Sequence, residues 1–306
     1  MLALKEISGN NLSVFRHETR LIGTEFEISV AGDDHVWANE RINSAIAEIS
    51  RIEKLLSAFG DDSQVNAINR NAGIKPVKTS GEIFRLIDRA LSISELTHGA
   101  FDTTYYAADK LFIDTKFDTP VNTIPYSVTK TNYKGVAIDA NNLTVFLKEK
   151  GMRISLAAVT KGYAADRAKY VMQLEGVSSG IINAGGDILT WGYQPNFEPW
   201  TVATAYPACN NPLLAQMDIS NMALATSANK QNLAKKTGAK SRFLLSAIEN
   251  IRVLSPSAEF AVALTSPLMA MGINTGLYLV NRLNQVGCVI TDDQNRVYTS
   301  KGIKTS

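Results

Sequence analysis

Residues 154–192 read ISLAAVTKGYAADRAKYVMQLEGVSSGIINAGGDILTWG, and this stretch determines how the rest of the chain is interpreted. It opens with a strand of small residues, which leads into Lys161 and Gly162. Apolar residues then recur at close to helical spacing with charged residues between them, which predicts an amphipathic helix beginning near Lys161. A second β-rich run follows and ends in the letters GGD at residues 185–187.

A helix that begins near Lys161 would offer free backbone N–H groups and the positive end of its dipole, and both favour an anion such as a phosphate. The paired Gly185 and Gly186 would let the backbone bend sharply or let a flat ligand approach closely. From the residues alone, these features indicate a phosphate-bearing ligand. An ordinary helix start and an ordinary Gly-Gly turn explain the same letters, and both interpretations stay open.

Composition narrows the class of protein. A chain of 306 residues with 45% hydrophobic and 20% charged residues is typical of a globular protein with a substantial core. A net charge of +2 gives no reason to expect nucleic acid or an anionic membrane as a partner. No apolar run reaches the roughly 18 residues of a transmembrane helix. Cys209 and Cys288 lack metal-ligand spacing, so two unpaired buried thiols are expected, with one disulfide as the less favoured alternative.

Helical and strand patterns are mixed without a regular β–α–β alternation, which favours an α+β fold over a doubly wound one. Amphipathic spacing predicts a helix over residues 36–56, and Ser80 is predicted to cap another. The letters YYAADKLF at residues 105–112 are interpreted as helical. Hairpins are predicted over residues 135–157 and 287–300.

Common catalytic motifs are absent from the sequence: it has no GxGxxG, HExxH or GxSxG and no phosphate-binding GxxxxGK. His17, His35 and His98 are scattered, and each is expected to be a surface or structural residue. Asp102 and Asp187 follow glycine-containing turns and are the carboxylates best presented to a ligand. A turn or N-cap role is an equal alternative for both.

A series of short motifs between residues 22 and 277 carries a family resemblance. In order, the motifs are IGT with FEISV, LLSAF with DSQVNAINRNAG, THGAFDTT, AAVTKGYAADRA, GIINAGGDILTWG, ALATSA, and AEFAVAL with MGINTGL. The series resembles the ApbE family, the FAD:protein FMN transferases once called thiamine-biosynthesis lipoproteins. The resemblance implies a single α+β domain at residues 18–306, with a mixed or antiparallel sheet packed by helices, after a lead-in segment at residues 1–17.

By resemblance, the expected activity is cleavage of FAD with transfer of FMN to a Thr or Ser of a target protein and release of AMP. FAD, magnesium and an acceptor protein are therefore the expected ligands and partner. A metal and a helix N-terminus suit phosphoryl transfer because this reaction mainly needs charge neutralisation and positioning. Most relatives act outside the cytoplasm as lipoproteins, which favours a periplasmic or membrane-anchored location, although the given chain shows neither a signal sequence nor a lipid-acceptor Cys.

The resemblance also assigns site residues, but no catalytic one. Its FAD-binding positions fall on Ile22, Gly23, Thr24, Phe59, Ala100, Phe101, Asp102, Ser155, Lys161, Gly185 and Gly186. Its metal ligands fall on the backbone carbonyl of Ala158 and on Thr265 and Ser266.

Three departures from the family pattern lie in the carboxy-terminal half. The family motif A-D-A-L-A/S-T reads AVALTS here, so Val262 stands where a metal-binding Asp is expected, and magnesium prefers carboxylates. A loop like S-H-I-I-D-P-R-T-G is replaced by SRFLLS at residues 241–246, and T-S-G becomes TSA at residues 226–228. These departures support a second hypothesis beside the first: a catalytically impaired paralogue that binds flavin or a partner protein without FMN transfer.

Overall fold

The computed structural model describes residues 12–57, 62–106, 132–203, 216–228, 248–301 and 303. The helices in this part of the chain are α1 (His35–Leu56), α2 (Gln64–Arg70), α3 (Gly81–Leu96), α4 (Ala157–Leu174), α5 (Ala258–Met271) and α6 (Ile273–Val280). The strands are β1 (Ser13–Leu21), β2 (Thr24–Gly32), β3 (Val77–Lys78), β4 (Thr104–Tyr106), β5 (Val136–Asp139), β6 (Thr144–Leu147), β7 (Met152–Ile154), β8 (Gly180–Ala184), β9 (Asp187–Trp191), β10 (Thr201–Ala203), β11 (Gln216–Asp218), β12 (Ala223–Ala228), β13 (Ile248–Ser255), β14 (Gly287–Asp292) and β15 (Val297–Thr299).

A fully antiparallel sheet of eight strands forms the centre of the fold, in the order β1, β2, β8, β9, β12, β13, β14 and β15. Strands β3, β6 and β5 form a smaller sheet, and β4 pairs with β7 and β10 with β11. Phe26, Ile28 and Val30 alternate along β2 on the face that carries the core, and all three are fully buried. Helices α1, α4 and α5 cover that face and pack on one another, so the predicted α+β class is confirmed.

Helix α1 shows why the periodic prediction succeeds. The Asp34 carboxylate accepts hydrogen bonds from the backbone N–H groups of Val36 (2.6 Å) and Trp37 (3.0 Å), which caps the helix. Its buried residues recur every three or four positions: Ala38, Ile42, Ala45, Ile49, Ile52 and Leu56. Each buried Ile contributes about 1.5–3 kcal/mol through removal of apolar surface from water. The predicted Ser80 cap is likewise confirmed, since its hydroxyl accepts from the N–H of Ile83.

Two local predictions differ from the structure. Helix α4 begins at Ala157, a turn earlier than predicted, because the Leu156 carbonyl already accepts from the N–H groups of residues 159 and 160. The helical interpretation of residues 105–112 is wrong at its start, since Tyr105 and Tyr106 belong to β4 and pair with β7. Strand pairing overrides the local pattern there, and residues 107–112 lie outside the described residues.

Both predicted hairpins are confirmed, as β5 with β6 and as β14 with β15. Strand β1 starts at Ser13, so regular structure extends into the segment interpreted as a lead-in. Cys288 is a buried free thiol, as predicted, whereas Cys209 lies outside the described residues. Within the described ranges, no helix combines the length and the apolar character needed to cross a membrane.

Candidate functional site

Two tight hairpin turns lie side by side at one end of the central sheet. Ile22 and Gly23 join β1 to β2, and Gly185 and Gly186 join β8 to β9. All four residues have positive φ angles, of 52°, 70°, 60° and 94° in chain order. This is the turn geometry whose twist matches that of an antiparallel hairpin, and glycine adopts it most easily. The sharp bend predicted for the paired glycines is therefore confirmed.

The two turns touch each other. The N–H of Gly185 donates to the carbonyl of Glu25 (2.9 Å), and a Cβ atom at Gly185 would collide with Oγ1 of Thr24. The N–H of Ile22 donates to the Glu53 carboxylate of α1 (3.0 Å), which fixes the first turn against the helical layer. The positions predicted at residues 22–24 and 185–186 are thus neighbours in space.

Asp187 follows the second turn and links three elements. Its Oδ2 lies 2.7 Å from Nζ of Lys161 on α4, and its Oδ1 accepts the N–H of Thr226 on β12 (3.0 Å). The side chains of Lys161 and Asp187 are only 25% and 12% exposed, so this pair is shielded more than a surface salt bridge. Among the helices that the structure describes, Asp187 caps none; it holds α4 and β12 beside the Gly-Gly turn.

Asp102 stabilises a turn, which was predicted from the sequence as an alternative to presenting its carboxylate to a ligand. Its Oδ1 accepts from both the N–H and the hydroxyl of Thr104 (2.8 Å each), and its Oδ2 accepts the N–H of Tyr133 (3.0 Å). Phe101 beside it is buried, whereas Ala100 is exposed. The acceptor contacts of Asp102 therefore hold Thr104 beside it and the start of the segment at Tyr133.

The start of α4 lies against this turn. The N–H of Ser155 donates to the carbonyl of Thr103 (2.9 Å), and the Ser155 hydroxyl accepts the N–H of Ala157 (3.3 Å). Ala158 is exposed in the first helical turn, and Lys161 follows one turn later. Contacts thus connect the predicted positions from the residue 22–24 turn to the residue 100–102 turn through α4. Phe59 lies outside the described residues.

Helix α5 is held against α4 by two features that the sequence reasoning missed. A Cβ atom at Gly162 would lie 2.6 Å from the carbonyl carbon of Ala258 and 2.7 Å from Cα of Glu259. The Asp166 carboxylate caps α5, since it accepts from the Ser257 hydroxyl (2.8 Å) and from the N–H groups of Ala258 and Glu259 (2.9 Å each). Burial raises the pKa of Asp166, and the three hydrogen bonds oppose that rise. The sequence signal that could have pointed to this contact is the spacing of Gly162 and Asp166, which lie four positions apart and therefore on one face of α4. That spacing does not say which element packs on the face.

The residues expected to bind a metal lie further along α5. Val262 is half-buried and packs against the core, and Ser266 is exposed. Thr265 is buried, and its hydroxyl donates to the carbonyl of Val262 (2.9 Å). Across the part of the chain that the structure describes, no group of three or more His, Cys, Asp or Glu side chains could hold a metal ion.

A network of charged side chains braces α4 against α1 and α3. Arg51 donates to Glu48 (2.7 Å) and to Glu82 (2.8 Å), and the Tyr163 hydroxyl also donates to Glu82 (2.7 Å). Arg167 completes the network with a 2.9 Å contact to Glu48. The hydrogen bonds from Arg51 hold the pKa values of Glu48 and Glu82 below their ordinary range. The helix that carries Lys161 is therefore fixed from two sides.

Comparison with known proteins relates the chain to one family and to proteins that share one name. The sequence model of the ApbE family matches residues 22–290. The chain is 23% identical to an FAD:protein FMN transferase of Klebsiella pneumoniae, with 94% of this chain and 92% of that protein aligned. A protein of the same name from Escherichia coli is also 23% identical, with 90% and 84% aligned.

Solved structures give the same fold. The flavin transferase ApbE from Vibrio cholerae matches with a TM-score of 0.73 at 18% identity, covering 95% of this chain and 98% of the other. The ApbE protein from Thermotoga maritima matches with a TM-score of 0.73 at 22% identity, covering 94% and 97%. Because the family match spans well over half of its residues, the chain belongs to the ApbE family.

Proposed function

We propose that the chain acts as an FAD:protein FMN transferase. The hydroxyl oxygen of a Thr or Ser on a target protein attacks the FAD phosphorus nearest to the flavin. The P–O–P bond breaks, FMN stays on the target through a new phosphoester bond, and AMP leaves with the bridging oxygen. The hydroxyl proton is released. The family membership and the shared name of the curated relatives support this reaction.

The observation that carries the proposal is the connected set of contacts around Lys161. The turn at residues 22–24 touches the Gly-Gly turn, the Gly-Gly turn leads into Asp187, and Asp187 binds Lys161. Glycines allow a ligand to approach the backbone closely, and an ammonium group can neutralise a phosphate. A bound pyrophosphate would compete with Asp187 for Lys161. This role for the pair is part of the proposal.

The residues present do not fit magnesium in the way expected for the family. The ligand set of Ala158, Thr265 and Ser266 consists of neutral oxygens and contains no carboxylate. Val262 supplies no oxygen from its side chain, and the Asp187 carboxylate is paired with Lys161. Magnesium prefers one or two carboxylates in addition to substrate phosphates. No step of the reaction is therefore assigned to a metal here.

This misfit favours a second candidate function: a paralogue that holds flavin, or a partner protein, without transferring FMN. Val262 is the specific observation behind it, because a packed aliphatic side chain stands where the family has a metal-binding Asp. The transferase and a flavin-holding paralogue require the same flavin-side positions, so these two differ in chemistry and not in FAD binding.

The experiment that separates them is a calorimetric titration with FAD, with and without magnesium, followed by an assay of AMP release in the same samples. Magnesium-dependent AMP release, together with FMN on an acceptor hydroxyl, would establish the transferase. FAD binding that ignores magnesium and yields no AMP would establish the second candidate. Absence of FAD binding would refute the transferase and the flavin-holding form of the second candidate, and would leave the binding of a partner protein as the function to test.

Val262→Asp tests the metal site directly, with Val262→Asn as a control of matched size without the charge. We expect Val262→Asp to raise magnesium affinity by about tenfold or more, and Val262→Asn to leave it unchanged. Calorimetry with magnesium alone measures this, and thermal melting shows that each variant is folded. Equal magnesium affinity in the two variants would place the defect beyond this one ligand.

A further inference from the structure

Strand β1 is a long edge of the central sheet. It spans nine residues, Ser13–Leu21, and pairs only with β2 among the described residues. The other edge, β15, has only three residues. An edge strand presents a row of unpaired N–H and C=O groups that a further strand can use. Of the two edges that the described residues give this sheet, β1 is the one long enough to pair extensively.

The register of the hairpin shows which backbone groups are available. Leu21 and Thr24 close the two-residue turn, so the odd-numbered residues of β1 exchange hydrogen bonds with β2. The N–H and C=O groups of the even-numbered residues therefore point away from the sheet. A strand that pairs with this edge must bond to Val14, Arg16, Glu18 and Arg20.

The charges on these even-numbered residues discriminate between the registers of self-pairing. Three antiparallel registers centred near the middle of β1 let the free backbone N–H and C=O groups of the even-numbered residues pair between two copies. Pairing centred on Arg16 opposes two arginines, and pairing centred on Glu18 opposes two glutamates. Pairing centred on His17 places Arg16 opposite the partner's Glu18 twice and Val14 opposite the partner's Arg20 twice. Opposite charges at facing positions stabilise a strand pair, whereas like charges destabilise it.

We propose that β1 pairs with β1 of a second copy of this chain about a two-fold axis at His17. The two eight-stranded sheets then form one continuous sheet, with the same surface used on both copies. Charged side chains often protect an edge strand from pairing. Here they disfavour two of the three registers and favour the third. Within one copy Arg16 contacts Glu18 (2.5 Å) and Glu27 (2.7 Å), but the side chains of Arg16 and Glu18 remain 54% and 67% exposed, so both can also reach a partner.

The consequence concerns the site end of the sheet. Because the two strands run antiparallel, the turn that follows Leu21 in one copy lies beside the start of β1 in the other. Dimerisation would therefore place the amino-terminal part of one copy near the Ile22 turn of its partner. The pairing itself does not depend on the proposed function.

The first test uses the full chain in sedimentation velocity over a concentration series. We expect a reversible dimer. Val14→Pro removes an N–H that points away from β2, so it blocks pairing between copies and leaves the hairpin ladder intact. That variant is expected to be monomeric, and Val14→Thr, which keeps the N–H and the β-branched shape, is expected to dimerise. Circular dichroism and thermal melting establish that both are folded.

A charge-reversal pair tests the register and remains informative if Val14→Pro does not fold. Glu18→Arg places arginine opposite arginine at two symmetric points and should raise the dimer dissociation constant by about tenfold or more. Adding Arg16→Glu restores opposite charges and should return the dissociation constant towards that of the unaltered chain. The double variant keeps a pair within each copy, because residue 18 lies opposite Glu27 on β2.

Four results would overturn the proposal. One is a full chain that stays monomeric at every concentration, and another is a dimer that Val14→Pro leaves unchanged. A third is a double charge variant that associates no better than Glu18→Arg. The fourth is dimerisation only after deletion of residues 1–11, because the chain's own amino-terminal segment would then be the occupant of this edge.

Discussion

Gly162→Ala should separate the two helices that carry the candidate site. The added Cβ would lie 2.6 Å and 2.7 Å from backbone atoms of Ala258 and Glu259, and these atoms cannot rotate away as a side-chain end could. Overpacking of this kind costs about 1–3 kcal/mol. Moving α5 away also lengthens the three hydrogen bonds of the Asp166 cap, each worth about 0.5–1.5 kcal/mol.

One term opposes this loss, since alanine stabilises a helix interior by about 1 kcal/mol relative to glycine. The expected net change is a loss of about 2 kcal/mol in the free energy of unfolding, a large part of the roughly 5–15 kcal/mol typical of a folded domain. Urea unfolding measures this value. FAD titration of the same variant shows whether displacement of α5 also disturbs the surroundings of Lys161.

Gly276→Ala provides the matched control, because Gly276 is also helical but its Cβ would lie 3.5 Å from Leu268, an ordinary contact. That variant should be unchanged, or more stable by up to about 1 kcal/mol. If Gly162→Ala proves as stable as Gly276→Ala, the close approach of α4 to α5 does not constrain the fold and the reasoning fails.

Two further predictions concern titratable groups. Glu82→Gln should lower the free energy of unfolding by about 1 kcal/mol at neutral pH, because Arg51 loses a charged partner. The pKa of Glu82 is lowered in the folded state, so the stabilisation by its carboxylate is fully present above the ordinary carboxyl pKa of about 4.3. The difference in stability between Glu82→Gln and the unaltered chain should therefore vanish as pH falls below the folded pKa. Urea unfolding at several pH values measures this difference. Burial raises the pKa of Cys288 to about 11, so in a Cys209→Ser background its thiol should react with a disulfide reagent only on unfolding. Because the unfolded thiol ionises first, stability should also fall as pH rises from about 9 towards 11 in urea unfolding, and a flat profile would contradict this.

Patterns that act within a few residues were predictable from the sequence. The buried stripe of α1 follows helical spacing, Ser80 caps α3 through its own hydroxyl, and Gly185 and Gly186 adopt the positive φ angles that favour glycine. Each of these features depends on local geometry, so the letters carry the necessary information.

Contacts between distant segments were not predictable in the same way. Lys161 and Asp187 were both singled out, but their pairing depends on how α4 packs over β9. Asp166 caps a helix whose first residue follows 92 positions later in the chain, and no periodicity indicates such a contact. Tyr105 became part of a strand only because β7 lies beside it. The predictions for Phe59 and for residues 241–246 lie outside the described residues and stay predictions.

The packing contact between α4 and α5 explains how the fold can persist without a carboxylate at position 262. Gly162 and Asp166 fix the start of α5, and neither contact uses Val262. Val262 packs against the core, whereas an unpaired aspartate at a half-buried position would lose hydration without a compensating partner. Val262→Asp should therefore lower stability while raising magnesium affinity, an opposition often seen at functional sites. Retention of the family fold is thus no measure of retained catalysis, because the contacts that stabilise this fold and those expected to bind a metal involve different side chains.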